Sequence, residues 1–267
     1  MKVDNKVVVV TGGGNGIGRE LVLQLLARGA RVAAVDIDQA ALQETLTLAG
    51  DNAGNLVVYA RDIRDREAVA ALPEQVAAHY GAVDGLINNA GVIQPFVRLN
   101  DLDYEAIERV MSINFYGTLS MTKAFLPYLL RRPEAHIVNI SSMGGFLPVP
   151  GQTVYGASKA AVKLLTEGLY AELLNTPVRV TIVFPGAVAT NIARNSGLGT
   201  LPSVDEQGAI KMLSPDKAAR RILDGMERNR YRVLVGSDAT FMDFLYRLSP
   251  ERAARLIYRQ MKALLPE

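Results

Sequence analysis

Short apolar runs rich in β-branched residues alternate with longer stretches of helical period through most of this chain. That rhythm restricts its fold more than any other feature. Val7–Val10 is a run of four valines that ends at Thr11-Gly12. Without polar alternation, such a run reads as a strand buried on both faces, as in a parallel sheet. Gly16–Arg28 follows with apolar residues at helix spacing (Ile17, Leu21, Leu25), and Gly29 stops it. Arg31–Val35 reads as a second strand, and Asp38 caps a helix running to about Ala49. Leu56–Ala60 is a third strand, Asp65–Tyr80 a third helix and Asp84–Ile87 a fourth strand. The pattern then predicts a long helix over Asp103–Leu130, a strand at Ala135–Ile140, a helix at Thr153–Leu174 and a strand at Val178–Phe184. A helix near Pro215–Arg228 and a last strand, Tyr231–Val235, complete it. Parallel neighbours need crossover helices, so the expected fold is α/β: a doubly wound parallel sheet of about seven strands with helices on both faces.

Two segments break the rhythm. Asn191–Leu213 holds Gly197, Gly199, Pro202 and Gly208 with weak periodicity, and reads as a substrate lid. Asp238–Glu267 reads as two short amphipathic helices broken at Ser249-Pro250. We expect one catalytic domain over 1–237, including the lid, with 238–267 as its helical extension. The tail mixes Phe241, Phe244, Leu245, Leu248, Leu256, Ile257, Met261 and Leu264 with five basic residues. Packing on its own domain or on a partner subunit is the favoured reading; lying on a membrane surface is the other.

The 267 residues contain no cysteine, which excludes disulfides, thiolate metal sites and cysteine nucleophiles. Twenty-nine basic against 27 acidic residues leave a net charge of +2, with no basic face for nucleic acid. No secretory segment follows Met1–Asn5, and no apolar run approaches a membrane span. A cytoplasmic protein is expected. His79 and His136 fall outside the motifs and read as surface or structural.

Thr11-Gly12-Gly13-Gly14-Asn15-Gly16-Ile17-Gly18 lies between a predicted strand and a predicted helix. Glycines let the backbone turn tightly and approach a pyrophosphate, while the helix N-terminus presents unpaired N–H groups to it. This is the Rossmann arrangement. Asp36 ends the second strand, near the offset at which an acid meets the adenosine ribose. Its carboxylate would repel a 2′-phosphate, and neither Asn15 nor Ile37 adds a cation, so NAD is favoured over NADP.

Tyr155 and Lys159 stand four residues apart on a predicted helix and so share a face. A nearby ammonium favours phenolate, which makes Tyr155 a candidate general acid/base. Ser141 and Ser142 follow the buried strand at the end where open sheets place ligands. Asn114 interrupts an apolar helix in Ile113-Asn114-Phe115, where a buried amide needs partners.

With these residues in place the chain resembles the short-chain dehydrogenase/reductase family. The matching stretches run from Thr11 to Thr190: Thr11–Gly18, Asp62, Asn88–Gly91, Asn114, Ser142, Tyr155–Lys159 and Pro185–Thr190. The resemblance implies that Tyr155 exchanges a proton with the substrate oxygen and that Ser142 holds that oxygen. Lys159 would bind the nicotinamide ribose and lower the Tyr155 pKa, and Asn114 would hold a relay water. It further implies Gly12, Gly16 and Gly18 as the phosphate cradle, beside Asn15 and Ile17. Asp62 would meet the adenine amino group, with Ile63 supplying backbone contacts. Asn89, Ala90 and Gly91 would line the ribose side, and Pro185, Gly186, Val188 and Thr190 would place the carboxamide. Hydride moves directly between cofactor and substrate in this family, so no metal is expected. Homodimers or homotetramers are expected.

Ile93, Gln94, Phe96, Met143, Phe146, Val149, Gln152 and Met212 are the pocket candidates. Most are apolar and no arginine is plainly set to clamp a carboxylate, so the expected substrate is a hydrophobic secondary alcohol or its ketone; Arg194 could overturn this from the lid. Some thirty residues beyond the last strand separate the chain from typical ketoacyl reductases. Two alternatives stay open: a redox-silent lyase, dehydratase or epimerase, and a non-catalytic nucleotide-binding regulator.

Overall fold

Strands β1 (Val7–Thr11), β2 (Arg31–Asp36), β3 (Leu56–Ala60), β4 (Gly85–Asn88), β5 (Ala135–Ile140), β6 (Val178–Pro185) and β7 (Arg232–Val235) form one sheet in the order β3-β2-β1-β4-β5-β6-β7. Every neighbouring pair is parallel. This computed structural model describes residues 1–198, 212–262 and Leu265. The winding reverses between β1 and β4, and a crevice opens beyond the C-terminal ends of those two strands, where open sheets bind ligands.

The valine runs serve both faces because successive strand residues point opposite ways. Val8, Val10, Val32 and Ala34 enter a core shared with α1 (Gly16–Ala27) and α8 (Pro215–Glu227). Val7, Val9, Ala33 and Val35 enter the other core, with α3 (Arg66–Tyr80), α5 (Thr118–Leu129) and α6 (Thr153–Glu172). Aspartates start several helices. Asp38 accepts from Ala41 N (3.0 Å) at α2 (Gln39–Leu48), and Asp65 accepts from Glu67 N and Ala68 N (both 3.0 Å) at α3. Asp103 accepts from Ala106 N (2.6 Å) at α4 (Tyr104–Met111). Each satisfies an N–H that the first helical turn leaves unpaired.

The long helix expected over Asp103–Leu130 is interrupted. Between α4 and α5, Ser112–Gly117 widens into a π turn around Asn114. The Thr118 hydroxyl donates to the Asn114 carbonyl (2.8 Å) within the widened region. Of the expected lid, Ile192–Asn195 forms the short helix α7, while 199–211 lies outside the described residues.

The tail forms α9 (Ser237–Leu248) and α10 (Pro250–Met261), divided at Ser249 as expected. Met242, Ala253 and Ile257 build a small core with Leu147, against which Met143 and Phe146 pack. The tail therefore packs on its own chain, through the loop that begins at Ser142. Among the described residues, no helix is long and apolar enough to cross a membrane.

Candidate active site

The crevice at the β1/β4 reversal is a cleft of about 280 Å³. Its lining includes Gly12, Asn15, Gly16, Ile17, Asp36, Ile37, Asp62, Ile63, Asn89, Ala90, Gly91 and Thr190. Gly12 sits at φ +68°, a left-handed conformation natural to glycine, and its carbonyl accepts from Asn89 Nδ2 (3.3 Å). The Thr11 hydroxyl accepts from the N–H groups of Asn89 (3.0 Å) and Ala90 (3.1 Å), so the two glycine-bearing loops are tied together. Asp36 is oriented by its own loop: one oxygen accepts from Gly14 N (2.9 Å), the other from Asp38 N (3.1 Å).

Gly18, Pro185, Gly186 and Val188 are not among the residues that line this cleft. Gly18 packs under the Gly12 carbonyl, where a side chain has no room. Pro185 ends β6, Gly186 faces Asp238, and Val188 bridges to Leu213. Asp62 is gripped by the Arg64 guanidinium (2.6 and 2.8 Å), which holds its carboxyl below the usual range. Three cations outside the sequence motifs also line the cleft: Arg61, Arg64 and Arg109. Arg61 N donates to the Asp36 carbonyl (2.8 Å), because β2 and β3 are paired up to their ends.

Beside this cleft stand the four catalytic candidates. Ser142 leaves β5, and its Oγ accepts from Gly144 N (3.0 Å). Tyr155 lies in the first turn of α6, beside Ser142: a Cβ at Gly144 would lie 3.4 Å from the Tyr155 ring and 3.5 Å from Ser142 Oγ. Lys159, one turn on, is buried and donates from Nζ to the Ile140 carbonyl (3.0 Å). A side chain at Gly91 would come within 3.1 Å of Lys159 Nζ and 3.2 Å of Asn114 Oδ1, so both groups border a cleft-lining backbone.

Burial raises the Tyr155 phenol, and the neighbouring Ser142 hydroxyl opposes that rise. Burial also lowers Lys159 to about 8. In the chain without cofactor, loss of water dominates at both groups.

Asn114 is held on three sides. Its Oδ1 accepts from Val92 N (2.9 Å), and its Nδ2 donates to the Val92 carbonyl and the Ser158 hydroxyl (both 2.9 Å). Both amide hydrogens are engaged, so the side chain braces the site, and a relay water would have to donate to its amide or main-chain oxygen. Ser158 completes the brace by donating to the Tyr155 carbonyl (2.7 Å). A polar residue on the buried face of the Tyr155–Lys159 turn was the signal for it.

The pocket candidates do not converge. Gln94 is fully buried; its Oε1 accepts from Val154 N (2.8 Å) and Tyr155 N (2.9 Å), and its Nε2 donates to the Gly151 carbonyl (3.0 Å). It fixes the start of α6 and is not a pocket wall. Gln152 Nε2 donates to the Gln94 carbonyl (2.8 Å), while its buried Oε1 has no partner among the described residues. Phe146 stacks edge-on with Phe184 at 5.4 Å, and Met143 joins it against the tail core, so both are packing residues. Phe146, Val149 and Gln152 border a separate, open cleft of about 830 Å³ between α6 and the tail. Ile93 is buried, Phe96 lies beside Gly151, and Met212 is exposed near the lid. His136 is buried, bonded to Thr181 Oγ1 (2.8 Å), and lowered to about 3 by loss of water; it lies on β5, where its neighbour Gly85 begins β4, away from the ligand end.

A parallel sheet with a glycine cradle at its switch point and a Ser/Tyr/Lys set beside it defines a dinucleotide-binding oxidoreductase fold. Comparison with known proteins agrees. Residues 6–199 match the short chain dehydrogenase family, and the chain belongs to that family. SadH of Mycobacterium tuberculosis is 36% identical over 98% of both chains. The 3-oxoacyl-[acyl-carrier-protein] reductase FabG of Thermotoga maritima is 33% identical over 76% of this chain and 85% of its own. A Burkholderia phymatum short-chain dehydrogenase/reductase in complex with NAD superimposes with a TM-score of 0.84 at 26% identity, covering 94% of this chain and 96% of that one. A Burkholderia cenocepacia short chain dehydrogenase in complex with NADP gives 0.79 at 29%, covering 96% and 99%. The protein is thus an oxidoreductase of a family that uses nicotinamide cofactors and acts on CH–OH or carbonyl groups.

Proposed function

We propose that this protein interconverts a hydrophobic secondary alcohol and its ketone with NAD(H), using Tyr155 as general acid/base. The observation that carries the proposal is that Ser142 and Tyr155 stand side by side, with buried Lys159 bordering Gly91 of a cleft lined by Gly12, Gly16 and Asp36. The dinucleotide, when bound, accepts or supplies the hydride. The chain's own residues do the rest. Gly12–Gly16 at the α1 N-terminus would receive the pyrophosphate and Asp36 the adenosine ribose. Lys159 Nζ, next to Gly91, would meet the nicotinamide ribose. Ser142 Oγ holds the substrate oxygen in line with the phenol, and Tyr155 Oη takes its proton in oxidation or returns one in reduction.

The Asp36 carboxylate, fixed by Gly14 N and Asp38 N, supports NAD. One observation keeps NADP as the second reading: Arg61 is exposed at the same end of the cleft and forms no ion pair among the described residues. NAD-bound and NADP-bound relatives both exist, which supports the cofactor class. A homodimer or homotetramer fits α6, whose outer face exposes Ala157, Ala160 and Leu164.

The test is a panel of secondary alcohols and ketones followed by NADH absorbance, with Tyr155→Phe and the exposed control Tyr104→Phe. Turnover lost only in Tyr155→Phe supports the proposal. Product formation without redox change in the dinucleotide would transfer it to the lyase or epimerase reading.

A further inference from the structure

The tail begins where the cofactor cleft ends. Strand β7 stops at Val235, and α9 starts with Ser237-Asp238. The Asp238 carboxylate accepts a hydrogen bond from Ala187 N (2.7 Å). Ala187 belongs to the segment that leaves β6 and carries Thr190 into the cleft, opposite Gly16. Among the described residues, Asp238 is the one side chain that hydrogen-bonds any backbone group of Gly186–Thr190. The remaining links are backbone: Gly186 N to the Val235 carbonyl, Ala189 N to the Leu213 carbonyl and Leu213 N to the Ala187 carbonyl, each 2.9 Å.

Space for this carboxylate comes from two glycines on different strand ends. A Cβ at Gly186 would fall 2.2 Å from Asp238 Oδ2, and one at Gly236 would fall 2.2 Å from Oδ1. Either side chain would expel the carboxylate. Asp238 also lies in the first turn of a 12-residue helix, where a negative charge is favoured. The body of the same tail packs on Met143, Phe146 and Leu147, just beyond Ser142. The tail thus touches the loops on both sides of the reacting centre.

We propose that Asp238 is a positioning residue for the dinucleotide: through Ala187 it holds the 186–190 segment in place, and so makes the C-terminal tail a part of cofactor binding. This rests on the dinucleotide reading above. A charge-assisted hydrogen bond to a backbone N–H is stronger than a neutral one, so its loss has a measurable effect.

The test compares full-length wild type, Asp238→Ala, Asp238→Asn and Asp243→Asn. Among the described residues Asp243 is the tail's buried carboxylate, and it pairs with Arg232 and Arg247, away from the segment. NADH affinity is read by fluorescence titration, KM and kcat by turnover, and backbone exposure of 185–190 by hydrogen exchange without cofactor. Expected for Asp238→Ala is a roughly tenfold rise in Kd and in KM for the dinucleotide, with a smaller change in kcat and faster exchange at 185–190. Asp238→Asn, whose amide oxygen still accepts, recovers most of the affinity, and Asp243→Asn stays near wild type. Unchanged Kd and exchange in a folded Asp238→Ala would overturn the proposal. So would losses in Ala, Asn and Asp243→Asn alike that follow thermal stability. A wild type that does not bind NADH refutes the dinucleotide reading and the cofactor role of Asp238 together, while the exchange result still reports whether the carboxylate holds the segment.

Discussion

The cleft below Gly12–Gly16 and the crevice beside Ser142 are built by opposite means. The first is made of backbone: glycine turns, a helix start and strand ends, joined by backbone N–H groups donating to Thr11 Oγ1 and the Asp36 carboxylate and by Asn89 Nδ2 donating to the Gly12 carbonyl. The second is made of side chains brought from distant elements: Gln94 from the loop after β4, Asn114 from the π turn, Phe146 from the loop after β5, and the tail core. Backbone can recognise a pyrophosphate common to many ligands, so the first region needs few specific residues. The second region must set a substrate's shape, and it spends buried polar groups on holding loops together. The comparison teaches that an expected contact residue with a buried, fully used side chain, such as Gln94, belongs to the frame.

Replacing Lys159 should separate function from stability most strongly. Its folded pKa of about 8 lies below the ordinary 10.5, so burial of the charge opposes folding. Below pH 8 both folded and unfolded chains hold the proton and the full penalty is present. Between 8 and 10.5 the folded chain releases it first and stability rises with pH. Lys159→Met should therefore abolish turnover yet gain about 1–3 kcal/mol at pH 7 by denaturant unfolding. The gain should shrink as pH rises through that window. A destabilised variant at pH 7 would mean that the Ile140 hydrogen bond outweighs desolvation.

Asp36→Ala probes the backbone-built region. It should raise the NADP-to-NAD ratio of kcat/KM by about 10–100-fold, because a charge that repels the 2′-phosphate is gone while Arg61 remains. No change would remove Asp36 from the ribose site. Gln94→Ala probes the side-chain-built region. It leaves Val154 N, Tyr155 N and the Gly151 carbonyl without their partner and should destabilise by about 2–4 kcal/mol in chemical denaturation. A stable variant with altered substrate preference would restore Gln94 to the pocket. Met212→Ala, at an exposed site, should stay within about 0.5 kcal/mol of wild type.

Legibility followed the same division. Asp36, the glycine turn and the Tyr155/Lys159 spacing could be read because each depends on local chain geometry or on one strand–helix junction. The cap Asp38 was visible for the same reason, and strand limits moved by no more than a residue. The π turn was not, since helical periodicity does not distinguish a widened turn from a continuous helix. The role of Gln94 depends on Gly151, Val154 and Tyr155, some sixty residues away and brought near only by the fold. Asp238 meets Ala187 across 51 residues, through glycines whose purpose shows only when the carboxylate is seen between them. The Arg61 position follows from the β2/β3 register, which no local pattern specifies.

The most direct measurement pairs NADH affinity with turnover in wild type and Tyr155→Phe on the same secondary alcohol. The account predicts equal affinity and a turnover lower by about 10²–10⁴-fold, the range for a lost general acid/base. Full turnover in the variant, or no NADH formed by wild type from any secondary alcohol, would contradict it.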